Sequence, residues 1–294
     1  MLAKRLLTAV IGIPLVIFLV RSGSYFFAAT IFLLEGIAFF ELNGMLAKKN
    51  AGIYFSSMFF AFLICIAAFH YNNTSNLFLL FILATLCALL QGIFSHKQKN
   101  WHYKSIYSIF ALCYIGLFFS LFILLRQYQT DVAIDTTFGS MSKGECYFWL
   151  CLIGTWASDT FAYFAGTAFG KHKLCPDISP NKSWEGAIAG FIGCVLSVLL
   201  LAKYVFNISD VSSIYASLPG ASFSLGIFNF DIIIVSFLIA FFAPLGDLVE
   251  SQLKRFFAVK DSGSIFPGHG GVLDRLDSLL FVIPAVYAYL NFSF

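Results

Sequence analysis

Four residues in the last fifth of the chain recur at the spacing of one helix face, and their types suit metal and phosphate chemistry. They lie at positions i, i+3, i+4 and i+7 of a predicted helix: Asp247, Glu250, Ser251 and Lys254. Asp274 and Asp277 form a second acidic pair at i and i+3. Hard carboxylate oxygens without a His/Cys cluster suit Mg²⁺, which is usually held by one or two carboxylates together with substrate phosphates.

Basic side chains flank these carboxylates and also occupy an earlier segment, residues 170–186. Their charge and donor groups suit a polyphosphate: Lys171, Lys173, Lys182, Lys254, Arg255 and Arg275. The run His269-Gly270-Gly271 is a flexible turn whose backbone N–H groups can approach phosphate oxygens. Magnesium together with clustered cations predicts phosphoryl or nucleotidyl transfer.

The elements that position these residues must be membrane helices, because the chain is too apolar for a soluble domain. Of its 294 residues, 60% are hydrophobic and 11% are charged, whereas soluble domains carry about 25% charged residues. This composition also excludes intrinsic disorder, which needs low hydrophobicity and high charge. The net charge of +3 does not indicate the clustered basic face of a nucleic-acid binder, so no nucleic-acid partner is expected.

Nine apolar runs are long enough to cross a bilayer as helices of about 20 residues. They cover roughly residues 5–21, 24–46, 53–70, 76–95, 105–126, 146–169, 186–206, 226–246 and 276–293. The predicted fold class is therefore all-α, a polytopic integral membrane protein with about nine transmembrane helices. Residues 1–126 are expected to form N-terminal membrane helices with about five spans. Residues 127–294 are expected to form the catalytic membrane region, with about four spans and the cytoplasmic loops 170–186 and 247–277.

The cations are distributed unevenly over this topology. With nine spans, most of the 18 lysines and arginines fall on the side of the N-terminus, which the positive-inside rule assigns to the cytoplasm. Both charged segments lie on that side, so the active site is expected at the cytoplasmic face. Magnesium and basic residues at a bilayer surface indicate transfer onto a lipid head group.

Glu35, Glu41 and Asp159 also fall inside predicted spans, where a charged side chain is costly. This cost favours a functional role for Asp159. For Glu35 and Glu41, two interpretations stay open: a functional role, or hydrogen bonding to neighbouring helices.

The later charged segment resembles the signature of phosphatidate cytidylyltransferases, also called CDP-diacylglycerol synthases. The resemblance rests on one gapless run: Ser251-x-x-Lys254-Arg255-x4-Lys260-Asp261-x-Gly263-x-x-Phe266-Pro267-Gly268-His269-Gly270-Gly271-x-x-Asp274-Arg275-x-Asp277. The earlier segment is similar to the same family in two stretches: Gly170-Lys171-His172-Lys173 and Ser179-Pro180-Asn181-Lys182-Ser183-Trp184-Glu185-Gly186. The motifs cover roughly residues 155–280, and the N-terminal half matches only as a series of spans.

The resemblance implies an enzyme that transfers the cytidylyl group of CTP to phosphatidic acid, giving CDP-diacylglycerol and pyrophosphate in phospholipid biosynthesis. It implies a requirement for Mg²⁺, with room for a second, monovalent or divalent cation. It also implies a homodimer and a multi-pass location in the bacterial inner membrane. CTP, phosphatidic acid and membrane lipids are the expected partners.

Residue roles follow from the same resemblance. The catalytic residues would be Asp247, Asp274, Asp277, Lys254 and Arg255. The metal ligands would be Asp247 and Asp274, with Asp277 and Glu250 in direct or indirect contact with the metal. The substrate would be bound by Lys171, Lys173, Ser179, Asn181, Lys182, Ser251, Lys260, His269 and Arg275. Asp159 would orient a lysine or a second cation.

Two other functions stay open. A related CTP-dependent enzyme would act on another lipid, either as a polyprenol kinase, which releases CDP, or as an ether-lipid cytidylyltransferase. A transporter would also combine nine spans with intramembrane acids. It would spread those acids through the bilayer midplane, however, whereas the acids of this chain gather at one face.

Overall fold

The computed structural model describes residues 2–72, 74–95, 97, 100–208, 230–265 and 270–292. Helices dominate this part of the chain. In order they are α1 (Leu2–Arg21), α2 (Ser24–Ala47), α3 (Phe55–Tyr71), α4 (Thr74–Phe94), α5 (Trp101–Ala111), a π-helical segment (Leu112–Leu117), α6 (Phe118–Arg126), α7 (Lys143–Phe169), α8 (Trp184–Tyr204), α9 (Phe230–Phe256), α10 (Leu273–Leu276) and α11 (Leu279–Phe292). Each apolar run predicted as a span contains helix, although residues 226–229 of the eighth run lie outside the described ranges.

Five of the described helices are long and apolar enough to cross a membrane. They are α2, α4, the continuous stretch Trp101–Arg126, α8 and α9. Three shorter apolar helices accompany them. They are α3, α11 and the part of α1 from Gly12 to Arg21. The chain is therefore a multi-pass membrane protein. The 27-residue α7 is not among the five, and small or polar residues such as Thr155 and Asp159 interrupt its apolar sequence.

Helix α9 continues past residue 246, where the apolar run that predicted it ends, and stops at Phe256. Its last turns are polar. Lys254 forms an ion pair there with Glu250, one turn earlier, and such pairs stabilise a helix where apolar packing no longer does. The helical spacing predicted for this stretch is confirmed.

Two short antiparallel hairpins interrupt the helices, and the all-α prediction did not include them. β1 (Ala133–Thr136) pairs with β2 (Gly139–Ser142), and β3 (Lys173–Cys175) pairs with β4 (Ser179–Ser183). The N–H of Ile178 donates to the Cys175 carbonyl at 3.2 Å and closes the turn of the second hairpin. The predicted loop 170–186 is thus a hairpin that leads directly into α8.

The chain divides into two compact units, and unit 1 comprises Met1–Leu124 and Glu250–Leu280. Within it, α3 packs against α4 and the π-helical segment. Small residues allow this approach, since a Cβ added to Gly116 would lie 2.8 Å from the Cβ of Ala61. The boundary predicted at residue 126 divides the chain by function, into N-terminal helices and a catalytic region. A division by packing does not test that prediction.

Unit 2 comprises Leu125–Val249 and Phe281–Phe294. The helices α7 and α8 form its most extensive pair. Here too a small residue permits close packing, because a Cβ on Gly190 would lie 2.8 Å from the carbonyl oxygen of Ser158. Arg126 and Glu145 form a buried ion pair at 3.2 Å, so the start of this unit is anchored to the first turn of α7.

Candidate functional site

Lys254 lies at the centre of a buried charged cluster in unit 1, which we call the Lys254 cluster (Glu250, Lys254, Ser262 and Asp274). Its ammonium forms an ion pair with Glu250 and donates a hydrogen bond to Asp274 Oδ1 at 2.7 Å. The side chains of Glu250 and Asp274 are 1% and 5% exposed. Buried carboxylates need partners of opposite charge, and here one lysine serves both.

The second oxygen of Asp274 is held by three donors. Oδ2 accepts the backbone N–H of Ser262 at 2.8 Å, the Ser262 hydroxyl at 2.9 Å and the backbone N–H of Gly271 at 2.8 Å. Burial acts to raise the pKa of Asp274, but these hydrogen bonds and Lys254 outweigh it and lower the pKa to about 2. The carboxylate is therefore ionised and fixed in orientation.

The chain turns tightly around Asp274 at Gly270 and Gly271. Gly270 has a φ of +83°, which residues with a side chain rarely adopt, and a Cβ there would overlap the Asp274 carboxylate. The N–H of Gly271 donates to Asp274, so in this conformation it serves the cluster and not a phosphate. His269, the first residue of the predicted turn, lies outside the described residues.

Lys182 and Asp247 form a second ion pair, within unit 2. Lys182 Nζ, on β4, lies 2.7 Å from Asp247 Oδ2, on α9. The two side chains are 25% and 33% exposed. This pair is therefore more accessible to a ligand than the carboxylates of the Lys254 cluster.

Glu185, in the first turn of α8, holds His172, the residue that precedes β3. Its carboxylate accepts the backbone N–H of His172 at 3.2 Å and lies 2.7 Å from His172 Nδ1. Ser183 caps the same helix by accepting the N–H of Gly186 at 3.2 Å. The sequence prediction assigned no role to Glu185, although an acidic residue just after a serine cap is a helix-start signal.

The other predicted site residues are spread over the surfaces of the two units. The exposed ones are Lys171, Lys173 and Asn181 in unit 2, and Arg255, Lys260 and Arg275 in unit 1. Three more are partly buried: Ser179, Ser251 and Asp277. Asp277 accepts the N–H of Ser278 at 2.7 Å, and Asp159 is exposed on α7. Among charged residues, the structure brings Glu250, Lys254 and Asp274 into contact in one unit, with Asp277 close enough to act electrostatically on Glu250. In the other unit it pairs Lys182 with Asp247. Ser262, which binds Asp274, was missed because a single serine in a loop carries no distinctive pattern.

The carboxylates differ in how well they fit Mg²⁺. Among the described residues, no group of three or more His, Cys, Asp or Glu side chains is arranged to hold a metal ion. Both oxygens of Asp274 accept hydrogen bonds, and the ammonium of Lys254 occupies the position between Asp274 and Glu250. Asp247 is one-third exposed, which suits a ligand that shares the metal with substrate phosphates.

The chain is similar to one protein family along nearly its whole length. The model of the Cytidylyltransferase family matches residues 3–293. The phosphatidate cytidylyltransferase of Bacillus subtilis (strain 168) is 33% identical over 293 residues, which cover 97% of this chain and 96% of that protein. The phosphatidate cytidylyltransferase of Thermotoga maritima is 30% identical over 293 residues, with coverage of 97% and 95%. The similarity spans both units and both charged segments.

Proposed function

The chain belongs to the cytidylyltransferase family, and from this membership we propose that it transfers the cytidylyl group of CTP to phosphatidic acid. The products are CDP-diacylglycerol and pyrophosphate, and the enzyme acts in phospholipid biosynthesis. Family membership carries this proposal, and the Lys254 cluster supports it, because an ammonium fixed between two buried carboxylates provides the positive charge that a reaction between two anions requires.

The reaction brings two anions together. The phosphate of phosphatidic acid attacks the α-phosphorus of CTP in line, and pyrophosphate leaves. No side-chain nucleophile is required, because the acceptor is already an oxyanion. The protein must instead supply orientation and positive charge.

Lys254 is suited to supply a fixed positive charge. An ammonium has three N–H donors, and contacts with Glu250 and Asp274 account for two of them. We assign the third to a phosphate oxygen of the substrate. Because both carboxylates are held in place, the ammonium is oriented before the substrate binds, which avoids reorganisation during the reaction.

The exposed cations are assigned to the phosphates of CTP and of the lipid. They are Lys171, Lys173, Arg255, Lys260 and Arg275, with Lys182 beside Asp247. Hydrogen bonds to the substrates are assigned to Ser179, Asn181, Ser251 and His269. Positive charge at these positions also raises the local concentration of anionic substrates.

We propose that Asp247 is the principal protein ligand of a Mg²⁺ ion, with substrate phosphates completing the coordination. Within unit 1, the carboxylates of Glu250 and Asp274 hold the ammonium of Lys254, and Asp277 adds negative charge near Glu250. When bound, Mg²⁺ would neutralise charge that develops on the phosphates. A second, monovalent or divalent cation is assigned to the neighbourhood of Asp159.

We further propose nine spans with a cytoplasmic N-terminus, a location in the bacterial inner membrane, a catalytic face toward the cytoplasm, and a homodimer. The helices found in all nine apolar runs and the uneven distribution of cations support this topology. Labelling of single cysteines placed at residues 97 and 131 tests it, since these positions are predicted on opposite sides of the membrane.

Product analysis tests the reaction. Purified protein is incubated with phosphatidic acid, Mg²⁺ and CTP labelled at either the α- or the γ-phosphate. We expect the α-label in the lipid and the γ-label in pyrophosphate. A polyprenol kinase would place the γ-label in its lipid and release CDP, and an ether-lipid cytidylyltransferase would require an ether-linked acceptor. Ion flux in proteoliposomes without consumption of CTP would instead support a transporter.

A further inference from the structure

Glu41 is a buried carboxylate of α2 that holds the backbone leading into Asp274. The residue is 7% exposed. Its Oε1 accepts the N–H of Val272 at 2.8 Å, and its Oε2 accepts the N–H of Leu273 at 3.0 Å. Both of these residues are 1% exposed. Without Glu41 their N–H groups would be left buried and unsatisfied, which is costly.

Ser262 connects Glu41 to Asp274. Its hydroxyl lies 3.1 Å from Glu41 Oε2 and 2.9 Å from Asp274 Oδ2. A hydroxyl has one proton and can donate to one of these carboxylates at a time. The backbone N–H of Ser262 also donates to Asp274 at 2.8 Å. The side chain of Glu41 thus contacts both segments that hold Asp274, through the hydroxyl of Ser262 and through the backbone N–H groups of Val272 and Leu273.

The backbone at Gly271 approaches Glu41 so closely that a side chain there would displace the Glu41 carboxylate or the Ser262 hydroxyl. A Cβ at Gly271 would overlap Oε1 of Glu41 as well as the hydroxyl of Ser262. The same glycine donates its N–H to Asp274. Gly271 therefore leaves room for the Glu41 carboxylate and also donates a hydrogen bond to the Asp274 carboxylate.

Glu35 provides an internal comparison. It lies in the same helix, is fully buried, and has no hydrogen bond to residues 262–265 or 270–274 within the described part of the chain. Burial of a carboxylate in α2 is therefore not what distinguishes Glu41. What distinguishes Glu41 is its contact with Ser262, Val272 and Leu273, in the segments that hold Asp274.

We propose that Glu41 is a positioning residue of the transfer reaction, which acts through Ser262, Val272 and Leu273 to hold Asp274 against Lys254. The inference rests on the proposed role of the Lys254 cluster. A glutamine at position 41 keeps the shape but replaces one acceptor oxygen with a donor, which would face a backbone N–H. Asp274 would then be free to shift away from Lys254.

The test compares E41Q, D274N and the double variant E41Q/D274N, with E35Q as the matched control. We expect E41Q to lower kcat by about tenfold or more while the KM for CTP changes less than about threefold. E35Q should stay within about twofold of the wild type. If Glu41 acts through Asp274, the double variant should be no slower than D274N alone.

The inference would be overturned if E41Q kept the wild-type kcat. It would also be overturned if the loss of kcat in the double variant were the product of the losses in the two single variants. If D274N is slow and E41Q is not, the role of Glu41 fails while the role of the cluster stands. If D274N itself keeps wild-type turnover, the cluster has no role in the reaction and the inference fails with it.

If E41Q does not fold, S262A decides in its place, because it removes only the shared hydroxyl. A loss of about threefold that is absent in the D274N background supports the inference, and unchanged turnover contradicts it.

Discussion

Lys254 Nζ and Asp274 Oδ1 lie 2.7 Å apart although 20 positions separate the two residues in the chain. Lys254 belongs to the polar end of α9, and Asp274 to the short helix α10. The described residues between the two helices, 257–265 and 270–272, contain no helix, so their geometry depends on hydrogen bonds to Asp274 and Glu41. The cluster therefore couples a membrane helix to a loop, and substitutions on either side should affect both stability and turnover.

Replacing Lys254 by methionine should destabilise the protein and abolish most of its activity. The change leaves Glu250, which is 1% exposed at its side chain, without its cationic partner. Breaking a buried pair in this way costs about 3–5 kcal/mol. The midpoint of thermal unfolding in detergent measures the effect. The double variant K254M/E250Q should recover stability but not turnover. A K254M protein as stable as the wild type would contradict the described cluster.

Acidification should destabilise the wild type more than a variant without the Asp274 carboxylate. The pKa of this group is lowered to about 2, below its ordinary value of 3.8. Its contribution to stability is therefore complete above its ordinary pKa and is lost as the pH falls toward 2. Unfolding temperatures of the wild type and D274N should converge between about pH 4 and pH 2. Parallel curves over this range would show that Asp274 is not held as described.

Removing the Asp247 carboxylate should weaken the response to magnesium. We expect D247N to need about tenfold more Mg²⁺ for half-maximal transfer, because one anionic ligand is lost. The control is D131N, which changes an exposed aspartate in the turn before β1. Identical Mg²⁺ titrations for D247N and the wild type would rule out Asp247 as the principal ligand.

Alanine at position 270 should be far more harmful than alanine at position 44. Gly270 has a positive φ, and a Cβ there would overlap the Asp274 carboxylate. Gly44 is helical, and among the described residues no atom apart from its chain neighbours and the backbone of its own helix lies within 4 Å of an added Cβ. We expect G270A to lose most of its turnover, whereas G44A should be neutral or up to about 1 kcal/mol more stable, as alanine favours helix over glycine. Equal activity of the two variants would contradict the described turn.

Most of the helices could be predicted from the sequence because they lie in long apolar runs. The run at residues 24–46, for example, became α2 (Ser24–Ala47). The spacing of Glu250 and Lys254 also predicted a shared helix face, since helical periodicity is a local property. These features depend only on residues close together in the chain.

The remaining features depend on contacts that local patterns do not contain. The strands β3 and β4 have three and five residues, too few for a period of two to stand out. Glu41 meets Ser262, Val272 and Leu273 across more than 220 positions of the chain. Its cost as a buried charge was visible in the sequence, but its partners were not. The π-helical segment Leu112–Leu117 is likewise hidden within a uniform apolar run.

The turnover of D274N tests the central claim most directly. CDP-diacylglycerol formation from CTP and phosphatidic acid is measured for the wild type, D274N and the control D131N, all shown to be folded at the assay temperature. We predict a loss of about a hundredfold or more in D274N, equivalent to about 2.7 kcal/mol of transition-state stabilisation, and none in D131N. Turnover of D274N within about twofold of the wild type would show that the Lys254 cluster does not take part in the transfer.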